Sequence, residues 1–474
     1  MFEVLVPARS PEILTPIVGS DRVAHLVDVG RATMSNLGGR RIVSVNSTAT
    51  GGGVAEMLPV LLAYVGGVDV DGRWFVLEGD PEFFTLTKRL HHRIHGEPGD
   101  GGPLGEPERE LMQRTFARNE PDAARLFRPS DVVLLHDPQP APMAKWLADR
   151  GQTVVWRCHI GVDGGNQYTQ QAWDFLRPML EPYVDRYVFT RREYAPDWVP
   201  TERLSVIKPS LDPFSAKNRE LSDEYCVATL QQIGIVSGPP TVALTFERGD
   251  GSVGTVTGSA GIAREGFAPS PTTPLVVQVS RWDPLKDMAG VLSAFANEPG
   301  CADAHLVLAG PDVASVADDP EGLDVLNSVI AQWRELDEHV RARISIVCLP
   351  MDDPEANAIM VNALQRHAAV VVQKSLKEGF GLTVTEAMLK GRPVVAAAVG
   401  GIVDQIRDGV DGVLVSSTDV AQTGRAIGEL LADPERANRI GEAARRSVVA
   451  QFMPDTSLLL WAESINHAGT GNGQ

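Results

Sequence analysis

Short apolar runs recur along this chain and alternate with longer amphipathic stretches. The runs at 41–46, 74–77, 132–136, 154–159 and 187–190 predict β-strands, and patterns at 54–64, 108–119 and 142–149 predict helices. Strands alternating with helices imply a parallel sheet covered on both faces. A second series begins at 275–280 and continues at 305–309, 344–348, 369–372, 394–397 and 412–415. The pattern is that of an α/β chain with two similar parallel sheets. Residues 1–40 read as an irregular start, and 231–274, rich in Gly, Ser, Thr and Pro, as an insertion between the two series. Within it, 242–246 and 253–256 flank Gly249-Asp250-Gly251, the pattern of a β-hairpin. The division expected is 1–215, a linker and insertion at 216–274, and 275–452, with 469–474 as a disordered tail.

Composition narrows the class. A chain of 474 residues, 43% apolar and 22% charged, is long enough for two cores and has the profile of a soluble enzyme. Its net charge is −18, so phosphate backbones and anionic lipid are repelled, and neither nucleic acid nor membrane is expected as a partner. The four cysteines, Cys158, Cys226, Cys301 and Cys348, show no zinc spacing and suit reduced thiols in the cytoplasm. No run is long enough to span a bilayer, and the start lacks the layout of a signal peptide. Asn46-Ser47-Thr48 matches a glycosylation sequon that is inert without secretion. His91, His92 and His95 have chelating spacing on a helix, but with no further ligand nearby they read as a solvated face.

Sites in parallel sheets lie at the carboxyl ends of strands. After the run at 369–372 comes Glu378-Gly379-Phe380-Gly381-Leu382, then a helix to about Lys390 that carries Glu386. Glycines at 379 and 381 let a ligand approach the backbone, and the helix N-terminus offers N–H groups to an anion. Glu378 and Glu386 suit sugar hydroxyls, which donate to carboxylates. Arg281 and Lys286 follow the first strand of the second series and can neutralise a diphosphate. In the N-terminal half, strand ends carry Asn46 with the Gly51-Gly52-Gly53 loop, His136-Asp137 and His159. Glu56 lies one turn into the helix after that loop, where it suits a sugar hydroxyl or the helix dipole.

Together the stretches around Arg281, Lys286 and Glu378 to Glu386 resemble the retaining glycosyltransferases of the GT-B fold, with their glutamate–seven residues–glutamate signature. The segments 45–56, His136-Asp137-Pro138-Gln139-Pro140, Trp156-Arg157-Cys158-His159-Ile160 and Lys208-Pro209-Ser210-Leu211-Asp212-Pro213 resemble the trehalose glycosyltransferring synthases, and trehalose phosphorylases of the fungal type resemble them too. The resemblance implies two Rossmann-like domains facing across a cleft, with a helix near 453–468 returning to the first. It implies catalytic roles for Arg281, Lys286, Glu378 and His159, and donor contacts from Gly52, Gly53, Gly379, Phe380, Gly381, Leu382 and Glu386. Acceptor contacts fall to Glu56, Asp137, Gln139, Arg157 and Asp163. The reaction implied moves glucose from a nucleoside diphosphate glucose to glucose, forming α,α-trehalose, by same-face attack without an essential metal or other cofactor. Alternatives are a trehalose phosphorylase, another acceptor, or an inactive sugar-nucleotide-binding regulator; a homodimer is compatible with all of them. Relatives follow the His-Ile pair with an aspartate, whereas this chain has Gly161, with Asp163 two places on.

Overall fold

The computed structural model describes residues 1–50, 53–313 and 320–469. The chain forms two compact units, 1–210 with 452–474 and 211–451. Tail residues 470–474 and the glycines at 51 and 52 lie outside the described residues.

The first unit is a seven-stranded sheet in the order β1 (Phe2–Val4), β3 (Gly72–Val76), β2 (Ile42–Asn46), β4 (Val132–His136), β5 (Thr153–Cys158), β6 (Arg186–Phe189) and β7 (Leu204–Val206). All neighbours pair in parallel except β1, which is antiparallel to β3. Strands β2, β4 and β5 are buried at every position, as continuous apolar runs require when helices cover both faces. The helices of this unit are α1 (Thr15–Val18), α2 (Ser20–Leu37), α3 (Gly53–Gly67), α4 (Pro81–Ile94), α5 (Glu106–Leu126), α6 (Met143–Asp149) and α7 (Gln167–Leu180). Val43, Val45, Val133, Leu135, Trp156 and Phe189 share one core with Phe83, Met112 and Leu176 of α4, α5 and α7. Residues 1–40 are not irregular: they hold an edge strand and the long helix α2. That helix was missed because its apolar positions are thinly spaced among polar ones; it buries only Val23, Leu26, Gly30, Thr33 and Leu37.

The second unit contains α8 (Asp223–Gln232), the hairpin β8 (Thr245–Glu247) and β9 (Val253–Thr255), and a second seven-stranded sheet. Its order is β10 (Gly261–Arg264), β13 (Ile344–Leu349), β12 (His305–Pro311), β11 (Leu275–Val279), β14 (Val370–Gln373), β15 (Val394–Ala397) and β16 (Val413–Val415). All pairs are parallel except β10 with β13. Helices α9 (Met288–Ala296), α10 (Pro320–Arg334), α11 (Glu338–Arg341), α12 (Pro354–His367), α13 (Leu382–Leu389), α14 (Val420–Ala432) and α15 (Pro434–Gln451) complete it. Residues 216–274 therefore do not form a linker with an insertion. They supply the edge strand β10, and α8 packs on α12, where the Asn362 side chain donates to the Ala216 and Arg219 carbonyls at 3.0 and 2.9 Å. The last helix, α16 (Pro454–Gly469), packs on α2 in the first unit, and buried Asp455 pairs with Arg22 at 2.7 Å.

Both sheets share one plan, in which the order reverses beside the first strand of the α/β series. That switch point lies between β2 and β4 in one sheet and between β11 and β14 in the other. Ligands of open α/β sheets bind at the carboxyl ends of the strands there. Among the described residues no helix is long and apolar enough to cross a membrane.

Candidate active site

In the second unit the switch point gathers both stretches singled out in the sequence. Leaving β11, the chain turns at Asp283, whose carboxylate accepts from the Leu285 N–H at 2.8 Å, and at Asp287, held in the left-handed region at φ 46°. Asp287 caps α9 through the Gly290 N–H at 3.0 Å and pairs with the ammonium of buried Lys374, which also donates to the Ser417 carbonyl at 2.8 Å. Lys374 directly follows β14, so this pair ties the two strand ends together. Gln278 completes the tie: its amide donates to the Lys286 carbonyl at 2.7 Å and its oxygen accepts from the Lys374 N–H at 3.0 Å.

On this frame the Lys286 ammonium donates to Glu378 at 2.6 Å, and Ser375 donates to the same carboxylate oxygen at 3.2 Å. Arg281 is more open, its side chain 67% exposed while it pairs with Asp283 at 3.0 Å. The loop between Glu378 and α13 is fixed from below. The Gly401 N–H donates to the Gly379 carbonyl at 3.2 Å, and the Gln405 amide donates to the Phe380 carbonyl. A Cβ on Gly401 would lie 2.7 Å from the Phe380 Cα and 2.8 Å from the Gly379 oxygen, so only glycine lets this loop sit where it does. Gly381, at φ +86°, is the N-cap of α13 and accepts from the Val384 N–H at 3.0 Å, while the Leu382 and Thr383 N–H groups precede any intrahelical acceptor. Glu386, one turn on, is buried, with the Lys217 ammonium 3.7 Å from its Oε1. Below it, Lys390 donates to Gln365 at 2.8 Å and Asn218 at 3.2 Å; burial pushes this ammonium down to about 7 while the Glu386 charge opposes the shift.

In the first unit the ends of β4 and β5 carry a polar cluster. The His136 and His159 rings lie nearly parallel with centroids 5.3 Å apart, and His136 Nδ1 is 3.0 Å from His159 Nε2. The Arg157 Nε–H donates to His159 Nδ1 over a long 3.5 Å, and the other end of its guanidinium reaches Thr190 at 3.1 Å. Arg157, expected from the sequence at the acceptor, is 1% exposed and lies against His159. Both nitrogens of His159 are likewise engaged inside the unit, whereas Glu56 is exposed in the first turn of α3 and Gln139 half-buried after β4. Gly53 opens α3; the preceding Gly52 lies outside the described residues.

Asp137 adopts φ 65°, and its carboxylate accepts from the His159 N–H at 2.7 Å. Burial pushes its carboxyl up to about 6 and pushes the His136 imidazole down to about 3. A carboxyl raised on folding stabilises the fold below its unfolded pKa, and that contribution is lost as pH rises through about 6. Asp137→Asn keeps the acceptor oxygen and removes the charge. It is expected to raise stability above pH 7 by on the order of 3 kcal/mol and to flatten the decline between pH 4 and 6, read by denaturant titration at each pH.

Gly161 explains the departure from the expected aspartate. A Cβ there would lie 2.1 Å from Cγ of Tyr194, so the Tyr194 ring occupies the space a side chain would need. Arg191 stacks over that ring at 5.5 Å and pairs with Asp163, which is thereby held at the loop's outer side.

Residues 44–196 match the family described as "Trehalose synthase, N-terminal domain", and residues 262–447 match "Glycosyl transferases group 1". With its two parallel sheets the chain is thus a glycosyltransferase of the GT-B fold. More narrowly, it belongs to the trehalose synthase family. The trehalose synthase of Thermococcus litoralis is 33% identical over 437 residues, 92% of this chain and 92% of that one. The trehalose phosphorylase of Grifola frondosa is more distant, 23% identical over 434 residues that cover 85% of this chain and 54% of that protein. Among solved structures, the UDP-forming α,α-trehalose-phosphate synthase of Burkholderia xenovorans, in complex with glucose-6-phosphate, shares the fold. It gives a TM-score of 0.62 at 16% identity and covers 91% of this chain and 100% of that one.

Lys374, Gln278, Lys217, Gln405 and Tyr194 escaped the sequence reading. Lys374 carried a signal, a lysine directly after the fully buried strand β14, which calls for a buried anion. The others act through partners distant in sequence and carried none.

Proposed function

We propose that the protein is a retaining, metal-independent glucosyltransferase that moves glucose from a nucleoside diphosphate glucose to glucose, forming α,α-trehalose. The observation that carries this reading is the placement of two cations, Arg281 and Lys286, and two carboxylates, Glu378 and Glu386, at the switch point of one sheet. A donor diphosphate takes Lys286 from Glu378, and the released carboxylate accepts from donor-sugar hydroxyls. Arg281 and the N-terminus of α13 share the phosphate charge, and Glu386 accepts from the ribose. In the oxocarbenium-like transition state the bond from the anomeric carbon to phosphate oxygen breaks and the bond to the acceptor oxygen forms on the same face. The leaving phosphate oxygen takes the acceptor's proton. His159, held by His136 and Arg157, and Asp137 with Glu56, Gln139 and Asp163 border the acceptor side.

The test is a panel of nucleoside diphosphate glucoses and acceptors, with and without phosphate and with EDTA, products identified by NMR. Trehalose from donor plus glucose, unaffected by phosphate or EDTA, is the expected result. Trehalose made solely from glucose 1-phosphate would instead make the protein a phosphorylase, and tight nucleotide binding without turnover a regulator. Glu378→Gln is expected to weaken sugar positioning and to yield no glycosyl-enzyme by mass spectrometry; trapping such an adduct would replace same-face attack with double displacement.

A further inference from the structure

On the face of the first sheet away from the α4–α7 core, two adjoining cavities of about 50 Å³ each lie under α2, α3 and α16. They share Ile42, Val65, Leu458, Trp461 and Ile465 as walls, so they adjoin as the two lobes of one apolar channel-like region. The inner lobe is bounded by His136 and the outer by Thr33, and each presents a buried polar atom without a hydrogen-bond partner, His136 Nε2 and Thr33 Oγ1. Residues Leu134 and His136 alternate with Val133 and Leu135, which face the other core, so the His136 side chain lies on the channel side of the sheet.

The hydrogen-bond chain fixes what His136 offers. Arginine only donates, so His159 Nδ1 accepts from Arg157, and His159 carries its proton on Nε2. That proton is donated to His136 Nδ1, which leaves His136 protonated on Nε2, a buried donor without a partner on a residue that lines the inner lobe. A buried donor without an acceptor is rare in folded proteins, and an unfilled cavity forfeits dispersion contacts along its walls. The two lobes together are of the same order as an engineered apolar cavity of about 150 Å³ that takes up benzene.

We propose that this channel is a binding site for a small neutral, largely apolar molecule whose single acceptor oxygen, a ketone, ether or ester carbonyl, receives the His136 Nε2–H. The site is independent of the sugar-nucleotide reading and adjoins the strand-end cluster through the His136–His159 pair.

Cyclohexanone serves as the probe and methylenecyclohexane, of the same shape without the oxygen, as its control. Saturation-transfer NMR is expected to give saturable cyclohexanone binding to the full chain, at least tenfold tighter than the control, with a shift of the His136 ring nitrogen resonance. Leu458→Phe, which fills the shared wall, is expected to abolish it. Should that variant not fold, the wild-type ring-nitrogen shift decides alone. Absence of saturable binding, equal binding of the two probes, or binding that leaves the His136 resonance unmoved would overturn the proposal.

Discussion

Lys286→Ala is expected to lower kcat about 10²–10³-fold, the usual loss when one fixed charge-stabilising donor is removed from a developing anion. The Lys286 side chain is 17% exposed and Glu378 13%, and they meet at 2.6 Å. On the proposed function, removing the cation takes away a phosphate partner and leaves the Glu378 carboxylate unbalanced beside it. The loss should fall mainly on kcat, because leaving-group charge grows towards the transition state, while donor binding retains Arg281 and the α13 N-terminus. Lys286→Arg should recover part of the rate, since charge returns but the Gln278-tied turn was built around a shorter ammonium. Steady-state kinetics with donor binding by calorimetry check both; turnover unchanged in Lys286→Ala would remove Lys286 from the catalytic machinery.

The largest expected effect on stability comes from restoring the aspartate that the family resemblance leads one to expect at 161. Gly161→Asp should cost about 3 kcal/mol or more, because its Cβ would enter the Tyr194 ring and its carboxylate would be buried. The cost should shrink by more than about 1 kcal/mol in a Tyr194→Ala background, since the clash and its relief involve one contact. Tyr194→Ala alone is expected to destabilise by about 3 kcal/mol through the cavity it opens. Denaturant unfolding of the four proteins closes the cycle, and additive effects would show that the ring is not what excludes the side chain. Non-additivity would make glycine at 161 and tyrosine at 194 one packing unit.

That Arg281, Lys286 and Glu378 come to one sheet edge was legible in the sequence to a useful depth. A lone glycine turn between acids says little. Arg281 and Lys286 after one apolar strand, and Glu378 after another, become informative because parallel strands bring their carboxyl ends to one edge. The observed order, with β11 beside β14, is what makes them neighbours. The acceptor half was legible less well. His136, Arg157 and His159 were each visible at strand ends, but their division of labour was not. Strand alternation puts Arg157 on the face opposite Trp156 and Cys158, and its 1% exposure is a packing outcome that its neighbours in the chain do not encode. The edge strand β10 was hidden for a similar reason: a short run on a sheet edge has only one partner and needs little apolar character.

What the sequence by itself determined is therefore the class of fold, the alternation that places chemistry at strand ends, and the residue types that suit a sugar nucleotide. These are local properties, set by periodicity and by what a side chain can donate or accept. Tertiary structure alone decided that Lys286 rests against Glu378, that Lys374 locks the turn beneath them, that Tyr194 claims the space of residue 161, and that His136 lines an apolar cavity with Nε2 buried and without a partner. Each joins residues far apart in the chain, and which of many compatible pairs forms is set by close packing of the whole unit.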